Sequence, residues 1–279
     1  MIEMDKRRDI LSDAVETDRD VLSGERSASG FRGDVSLAPV SPDAAADLEL
    51  YRRLEEVCPT KTILETQGES GPQLALDKGR CITCGMCQRV APQLIEVREH
   101  FAIPARRQEE LVVAQVPDSS GVGTRLQLDE MGKQLKEKVL KTLGRSLAVR
   151  EVDAGSCNGC EVEVSALNNP VYDVERFGVH FVASPRHADV LLVTGVASRN
   201  MELALKRTYD ATPDPKVVVA VGACACSGGL FGDTYASEGG ITKVVPVDVL
   251  VPGCPPRPEA LLYGLLLAVD RIGKATAAP

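Results

Sequence analysis

The chain has 279 residues, of which 44% are hydrophobic, with a formal net charge of −8 and a mean hydropathy of −0.05. This length predicts about two domains with a buried core, and the acidic balance argues against nucleic acid as a partner. No window holds the roughly 18 consecutive apolar residues of a membrane span.

The first 30 residues predict a polar, mobile arm. Arg7 and Arg8 resemble the start of a twin-arginine signal, but the DILSDAVETDRD that follows is charged where a signal is apolar. The sequence therefore predicts a cytoplasmic protein. Nine cysteines in that reducing compartment indicate metal binding or catalysis, and argue against disulfides.

Residues 31–116 contain four of the cysteines. Three of them, Cys81, Cys84 and Cys87, lie in CITCGMCQRVAP, and Cys58 comes at the end of LELYRRLEEVCPT. Bacterial ferredoxins use the motif C-x₂-C-x₂-C-x₃-C-P, whose fourth cysteine binds the other cluster of a pair. Here the upstream copy has kept only its fourth cysteine, and the downstream copy has kept only its first three.

The four positions that have lost a cysteine now carry Leu48, Tyr51, Leu54 and Ala91. Apolar side chains can fill an emptied cluster cavity, which would otherwise cost stability. The stretch resembles a two-motif ferredoxin domain that has kept one [4Fe–4S] cluster, and FRGDVSL and GPQLALD suit the strands that precede each motif. The alternatives are that Cys58 is a small buried apolar side chain and that the other three cysteines hold zinc.

Residues 117–147 predict a linker and an amphipathic helix. The linker is the Ser/Gly-rich PDSSGVGT at 117–124. The helix follows from residue 128, with apolar positions at Leu135, Val139, Leu140 and Leu143. Its basic opposite face favours solvation over attachment to a membrane surface.

From residue 148 the pattern changes to short β-branched runs separated by helical segments. The runs are GVHFVAS, ADVLLVTG, KVVVAVGAC and VDVLVPGC. Such alternation predicts a parallel sheet that is covered on both faces. We expect this domain to span residues 148–273, closing with a helix at 258–273, and residues 274–279 to form a frayed tail.

Four of the five cysteines in this region are predicted to meet at one edge of the sheet. Cys224 and Cys254 end two of the runs, and Cys157 and Cys160 lie in a turn before a helix, in GSCNGCEVEV. The carboxyl ends of parallel strands meet at the same edge, and nearby glycine-rich turns favour thiolates. By itself, the spacing of Cys157 and Cys160 also permits a zinc knuckle or a redox dithiol.

Four segments carry a specific resemblance: REVDAGSCNGCEVEV, SPRHADVLLVTG, VVVAVGACACSGGLF and VPVDVLVPGCPPRPEALLYG. They resemble the small subunit of membrane-bound, energy-converting [NiFe] hydrogenases, including those of formate hydrogenlyases. They are also similar to the B-type subunit of NADH–quinone oxidoreductase, respiratory complex I. The resemblance covers about residues 128–273 and implies an α/β fold: a flavodoxin-like parallel-sheet domain with one [4Fe–4S] cluster, here preceded by a small α+β ferredoxin-like domain.

The resemblance also implies roles for individual residues. The cluster ligands are Cys157, Cys160, Cys224 and Cys254, which leaves Cys226 as a buried thiol that is not a ligand. In these families a carboxylate after the second cysteine lies near the large subunit and is implicated in proton movement. Glu163, and less directly Glu161, are candidates for that role, although acids also suit the first turn of a helix. Arg186 and His187 are expected to be structural caps.

The cysteine spacing favours the hydrogenase branch. Asn158 and Gly159 separate the first pair, as in hydrogenases, whereas the corresponding complex I subunits carry adjacent cysteines there. No cysteine follows Cys254, unlike in periplasmic hydrogenases, which carry further clusters.

The sequence therefore predicts an oxidoreductase subunit without a catalytic site of its own. Two [4Fe–4S] clusters, one in each cysteine set, would relay electrons to or from a large hydrogenase-like subunit. Other iron–sulfur and membrane subunits would hold the chain at the cytoplasmic face of the membrane, which it touches only indirectly. The alternatives are a quinone-reducing subunit of the complex I B-type, a subunit of a hydrogenase-related complex lacking nickel, and a zinc-bearing structural module.

Overall fold

The computed structural model describes residues 33–38, 47–68, 71–98, 100–115 and 128–277, the last four of these by backbone alone. All of them belong to one unit, residues 32–279. The predicted arm at 1–30 and the predicted linker at 117–124 lie outside the described residues.

The first part of the described chain is a small α+β unit. Strand β1 pairs antiparallel with β4, and β2, β3 and β5 form an antiparallel sheet in the order β2-β3-β5. The elements are β1 (Asp34–Leu37), α1 (Leu48–Val57), β2 (Ile63–Gly68), β3 (Gly71–Asp77), α2 (Met86–Val90), β4 (Ile95–Arg98) and β5 (Val112–Ala114).

Local sequence sets both ends of α1. The Asp47 side chain accepts a hydrogen bond from the backbone N–H of Leu50 at 3.0 Å, which caps the amino end. The helix ends at Val57 because Cys58 precedes Pro59, and the residue before a proline disfavours the helical conformation. Cys58 is accordingly extended, with ψ at 110°.

The second part of the described chain is a five-stranded parallel sheet with helices on both faces. Its strands lie in the order β12-β9-β8-β6-β7, and every neighbouring pair is parallel. The elements are α3 (Leu128–Leu143), β6 (Leu147–Asp153), α4 (Gly159–Ala166), β7 (Val179–Phe181), β8 (Val190–Thr194), α5 (Arg199–Ala211), β9 (Val217–Val221), α6 (Gly222–Ser227), β10 (Asp233–Thr234), β11 (Ser237–Glu238), β12 (Val249–Val251) and α7 (Pro258–Ala277). The short β10 and β11 form a separate antiparallel pair.

This strand order confirms the predicted flavodoxin-like fold. Numbered within the sheet, the order is 2-1-3-4-5, which is the flavodoxin-like arrangement. The chain direction across the sheet reverses between β6 and β8. In such sheets, ligands bind outside the carboxyl ends of the strands at that reversal.

The central strands are buried on both faces, which explains their uninterrupted apolar runs. Val190 and Leu192 of β8 pack into one core with α3, α4 and α7. Leu191 and Val193 pack into a second core on the opposite face, with α5 and α6. Alternate residues of a strand point to opposite faces, so a strand between two helical layers must be apolar throughout.

Helix α3 differs in detail from its prediction. Leu135 and Val139 are fully buried as expected, but Leu140 is 54% exposed. The buried face instead continues at Met131 and Gly132, where an added side chain would collide with the ring of Phe177. Residues four apart share a face of a helix, so Leu135 and Val139 continue the line from Met131, whereas Leu140 does not.

The last helix is longer than predicted. It reaches Ala277, four residues past the expected end at 273. Within the described parts of the chain, no helix has both the length and the apolar composition needed to cross a membrane.

Replacing Leu135 with alanine should lower the free energy of unfolding by about 2–5 kcal/mol, because the change leaves a cavity between α3 and the sheet. Leu140→Ala, on the exposed side of the same helix, should change it by no more than about 0.5 kcal/mol. Chemical denaturation of the two variants measures both values. Equal losses would contradict the assignment of the buried face.

Candidate functional site

The structure brings Cys58, Cys81, Cys84 and Cys87 together. Cys58 directly follows α1, Cys81 and Cys84 lie in the loop after β3, and Cys87 is the second residue of α2. All four line one cavity, whose other walls are mostly apolar and threonine side chains. The cavity encloses about 350 Å³ of empty space, part of it open to solvent. We call these four residues the first cysteine set.

Cys58 is held by hydrogen bonds that favour a thiolate. The backbone N–H of Thr62 donates to Cys58 Sγ at 3.2 Å, and the Thr60 hydroxyl lies 3.7 Å from the same sulfur. Burial by itself would raise the pKa of this thiol, but the hydrogen bonds outweigh it, and the pKa lies below its usual value. The cysteine motif gave no indication of the two threonines.

Cys81 and Cys87 of the first set have raised pKa values. Burial raises the pKa of Cys81 to about 12, against a hydrogen bond of 3.4 Å that the backbone N–H of Thr83 donates to its sulfur. Burial also raises the pKa of Cys87, and the charges of Cys58 and Cys84 add to that effect. Positive charge among these sulfurs, as a metal would supply, favours their deprotonated form.

The four positions that lack cysteine behave differently from one another. Tyr51, Leu54 and Ala91 are buried in the same apolar core as Cys58, as predicted, although 37 residues separate Leu54 from Ala91 (91 − 54). Leu48 is 42% exposed, so its predicted place in that core is wrong. The segment is helical, and each three-residue step turns a side chain by about 60° around a helix. Leu48 therefore lies about 120° from Leu54.

Cys157, Cys160, Cys224 and Cys254, the second cysteine set, all follow carboxyl ends of sheet strands. Cys157 lies between β6 and α4, Cys160 is the second residue of α4, and Cys254 is in the loop after β12. Cys224 was expected to end a strand, but β9 stops at Val221 and Cys224 is the third residue of α6.

Glycines allow backbone to lie directly against these sulfurs. A Cβ at Gly222 would lie 2.6 Å from Cys160 Sγ, and one at Gly229 would lie 3.0 Å from Cys224 Sγ. Both glycines have positive φ values, of 86° and 53°. The backbone N–H of Ala223 donates to the carbonyl of Gly253 at 2.7 Å, which joins the ends of β9 and β12.

Neighbouring thiols contribute to the raised pKa values of Cys160, Cys224 and Cys254. Burial and then Glu161 raise the pKa of Cys160, and Cys224, Cys254 and Cys157 all add to the increase. Burial raises the pKa of Cys224 to about 11, again with contributions from Cys254 and Cys157. Electrostatic coupling of this kind requires the four sulfurs to be neighbours.

Cys226 lies apart from that group, in the apolar core between the sheet and α6. Its sulfur is 3.9 Å from the carbonyl oxygen of Ala220. Burial raises the pKa of Cys226, followed by the charge of Asp77. This placement suits a structural thiol.

Glu163 on α4 belongs to a group of polar side chains that also contains Tyr172, Arg257 and Glu259. Burial and then the charge of Glu259 raise the pKa of Glu163, while Arg257 opposes the rise. Arg257 donates to Glu259 at 3.2 Å. Burial and Glu259 raise the pKa of Tyr172 to about 12. Sequence reasoning found Glu163 but missed Tyr172, Arg257 and Glu259, since their meeting depends on how α7 packs against α4.

The carboxylate of Glu161 is buried. Neither of its oxygens has a hydrogen-bond partner among the described residues. Glu161 also adds to the rise that burial causes in the pKa of Glu151.

Arg186 and His187 lie in a single 3₁₀ turn, Pro185–His187, just before the amino end of β8. That end of the sheet is opposite to the one carrying the cysteines. Both residues are exposed.

Among the residues that the structure describes, no three His, Cys, Asp or Glu side chains group as ligands of a single metal ion. A [4Fe–4S] cluster makes a different demand on the protein. Each of its four irons binds one cysteine. The four sulfurs are therefore spread around a cube-shaped cluster and do not converge on a single ion.

The second cysteine set lies in a region shared with known proteins. The family model described as "NADH ubiquinone oxidoreductase, 20 Kd subunit" matches residues 157–268. Formate hydrogenlyase subunit 7 of Escherichia coli is 47% identical over 152 residues, which are 54% of this chain and 60% of that protein. The chain thus spans less than two thirds of that relative.

Two further relatives are covered more completely. The "Probable membrane-bound hydrogenase subunit" of Pyrococcus furiosus is 48% identical over 145 residues, 51% of this chain and 87% of that protein. The B-type subunit of NADH-quinone oxidoreductase from Geotalea daltonii is 51% identical over 115 residues, 41% of this chain and 67% of that protein.

Replacing Glu163 with glutamine should stabilise the fold at about pH 8. A carboxyl whose pKa is raised by folding stabilises the fold below its unfolded pKa and loses that contribution as the pH rises. The gain should therefore vanish near about pH 4, around the unfolded pKa of glutamate.

Urea unfolding of the metal-free chain at both pH values measures this difference. Glu202→Gln is the matched control: hydrogen bonding to Lys206 lowers its pKa, so the variant should gain no stability at either pH. An equal gain at both pH values for Glu163→Gln would contradict the raised pKa.

Proposed function

We propose that this chain, which belongs to the family of the NADH ubiquinone oxidoreductase 20 Kd subunit, is the iron–sulfur electron-transfer subunit of a membrane-associated hydrogenase complex. It relays electrons through two [4Fe–4S] clusters to or from the active site of a large subunit. The observation that carries this proposal is the convergence of the second cysteine set at the carboxyl edge of the sheet, within the stretch that the family model matches.

Both cysteine sets suit a [4Fe–4S] cluster, which needs four thiolates. The first set surrounds one cavity. In the second set, glycines leave the sulfurs unobstructed by side chains. When bound, such a cluster takes up and releases one electron at a time.

The protein's own contribution is to hold and tune the sulfurs. The N–H groups of Thr62 and Thr83 donate to Cys58 and Cys81, and hydrogen bonds to cluster sulfurs help to set the reduction potential. Apolar side chains around the first set limit the access of water.

The surface around the second set favours a partner subunit. Cys157 and Cys254 are exposed in this chain. Three large apolar side chains that lie within a few residues of the set in the chain are also exposed: Val162 on α4, and Leu230 and Phe231 in the segment after α6. Exposed apolar groups beside a site are typical of protein interfaces. A large hydrogenase-like subunit seated here would cover both the cysteines and these side chains.

Glu163 is the residue we propose for a proton path toward that partner. It lies on α4, the helix that carries Cys160, and its raised pKa places proton exchange closer to neutrality. Tyr172 and Glu259 lie in the same group of polar side chains as Glu163. Glu161 is the second candidate.

Further subunits complete the proposed assembly. Other iron–sulfur and membrane subunits would hold this chain at the cytoplasmic face of the membrane, with the membrane itself touched only indirectly. Within the chain, we assign residues 31–116 to a ferredoxin-like single-cluster domain and residues 148–273 to the family domain, joined by 117–147.

The main alternative is a quinone-reducing complex I-like subunit. The similarity to the Geotalea daltonii protein favours it, at 51% identity. Against it stands the separation of Cys157 from Cys160 by two residues. A hydrogenase-related complex without nickel is a further alternative.

The chain purified without oxygen should contain about eight irons and eight acid-labile sulfides, because two complete sets of four cysteines imply two [4Fe–4S] clusters. Colorimetric assays of iron and sulfide measure this. About four irons, or zinc in place of iron, would refute the two-cluster proposal.

Two variants test which cysteines act as ligands. Cys224→Ser should lose about half of the iron, since a [4Fe–4S] cluster needs all four thiolates. Cys226→Ser should keep all of it, because that thiol is buried in the core between the sheet and α6. Equal loss from both changes would contradict the assignment of Cys224.

The assembled complex should contain nickel and should evolve or oxidise hydrogen with a low-potential dye. Gas chromatography and elemental analysis of the complex, purified through a tag on this chain, measure both. A nickel-free complex that reduces quinone and shows no hydrogen activity would favour the complex I-like alternative.

A further inference from the structure

The small α+β unit is joined directly to the edge of the parallel sheet. Ala105 forms an antiparallel bridge with Leu250 of the edge strand β12. The N–H of Ala105 donates to the Leu250 carbonyl at 2.9 Å, and the N–H of Leu250 donates back at 2.7 Å. Arg106 also reaches Asp270 of α7, at 3.4 Å.

A second contact links chain segments next to the two cysteine sets. The hydroxyl of Ser227, the last residue of α6, lies 2.9 Å from the carbonyl oxygen of Gly79. Ser227 is three residues after Cys224, and Gly79 is two residues before Cys81. The Ser227 hydroxyl is also 3.0 Å from the carbonyl oxygen of Ala223, in the preceding turn of α6.

The two partners of this contact have little freedom to separate. A Cβ at Gly79 would lie 2.7 Å from Gln108 Nε2 and 3.0 Å from Leu111 Cδ1, so the backbone there is tightly enclosed. Leu111 is in turn buried in the same apolar core as Cys226. The carbonyl of Gly79 is therefore held against α6 by packing from both parts of the chain.

We propose that this junction is the electron path between the two cysteine sets, with Ser227 as its positioning residue; the proposal rests on the proposed function. One electron leaves a reduced [4Fe–4S] cluster in one set and reduces an oxidised cluster in the other, and no atom or proton is exchanged. The path follows the chain from Cys81 to Gly79, crosses the hydrogen bond to Ser227, and continues along α6 to Cys224. Covalent bonds and hydrogen bonds couple electron donors and acceptors better than a gap of the same length does.

The test compares the whole chain with three variants. Ser227→Ala removes the bridging hydroxyl, and Ser227→Thr keeps it. Thr208→Ala is the matched control, because the Thr208 hydroxyl also bonds the carbonyl four residues earlier, at 2.8 Å, but on α5. Iron content establishes that both clusters are present in each protein.

Electron paramagnetic resonance supplies two readouts that mere stability would not move. One is the splitting caused by magnetic interaction between the two reduced clusters, and the other is the rate at which the second signal follows the first after rapid mixing with dithionite. Ser227→Ala should slow the transfer several-fold, whereas the splitting, which depends mainly on the distance between the clusters, checks that they have not moved apart. Ser227→Thr and Thr208→Ala should behave like the parent chain.

The possible outcomes distinguish a failure of the electron path from a failure of the proposed function. Two clusters with parental splitting and rate in Ser227→Ala would overturn the electron path while leaving the proposed function intact. A parent chain with only one cluster would overturn both. If Ser227→Ala loses iron, Ser227→Val repeats the test, because valine has the shape of the threonine in Ser227→Thr but lacks the hydroxyl, and parental behaviour there would overturn the path.

Discussion

Thiols held close together oppose one another's ionisation, and in the first cysteine set hydrogen bonds outweigh burial at Cys58 and lower its pKa. In the second set, the neighbouring sulfurs add to the effect of burial on the pKa of Cys160. In the first set, Cys58 and Cys84 act in the same way on the pKa of Cys87. Backbone N–H donors, loops that permit close approach, and bound iron are the means of lowering that cost. The positions of the glycines and threonines near the sulfurs follow from this constraint.

The two sets meet this constraint with different scaffolds. The second set uses the carboxyl edge of a sheet, where the ends of β6, β9 and β12 lie at the same edge and only glycine backbone fits against the sulfurs. The first set uses a cavity between a helix end and a loop, in which Thr60 and Thr62 supply the hydrogen bonds to Cys58. Residues far apart in the chain contribute to each set.

Much of this arrangement could be predicted from the sequence. The runs VLLVT and VVVAV indicate strands buried on both faces, because no charged residue interrupts them. The loss of cysteines from the two ferredoxin-like motifs predicted that Cys58 would meet the other three, and all four line one cavity. Such features depend on patterns that lie within one segment or repeat between two.

The predictions that were wrong and the contacts that were not predicted have the same physical origin. Leu48 is exposed because its segment is a helix, and three-residue spacing does not keep one face of a helix. Leu140 lies off the line of packing that Met131 and Leu135 define. The meeting of Glu163 with Arg257, and of Ala105 with Leu250, depends on tertiary packing between distant segments. No local pattern encodes the angle at which such segments dock.

The bridge between Ala105 and Leu250 also bears on how the chain avoids aggregation. An open sheet ends in strands whose backbone groups are free to pair with other molecules. At the β12 edge, the outward N–H and carbonyl of Leu250 are already paired with Ala105, from a segment 145 residues earlier in the chain (250 − 105). During synthesis, that protecting segment is made long before the strand it covers. The small α+β unit therefore covers the β12 edge of the sheet. A chain shortened to residues 148–273 would leave the backbone groups of this edge free to pair with other molecules.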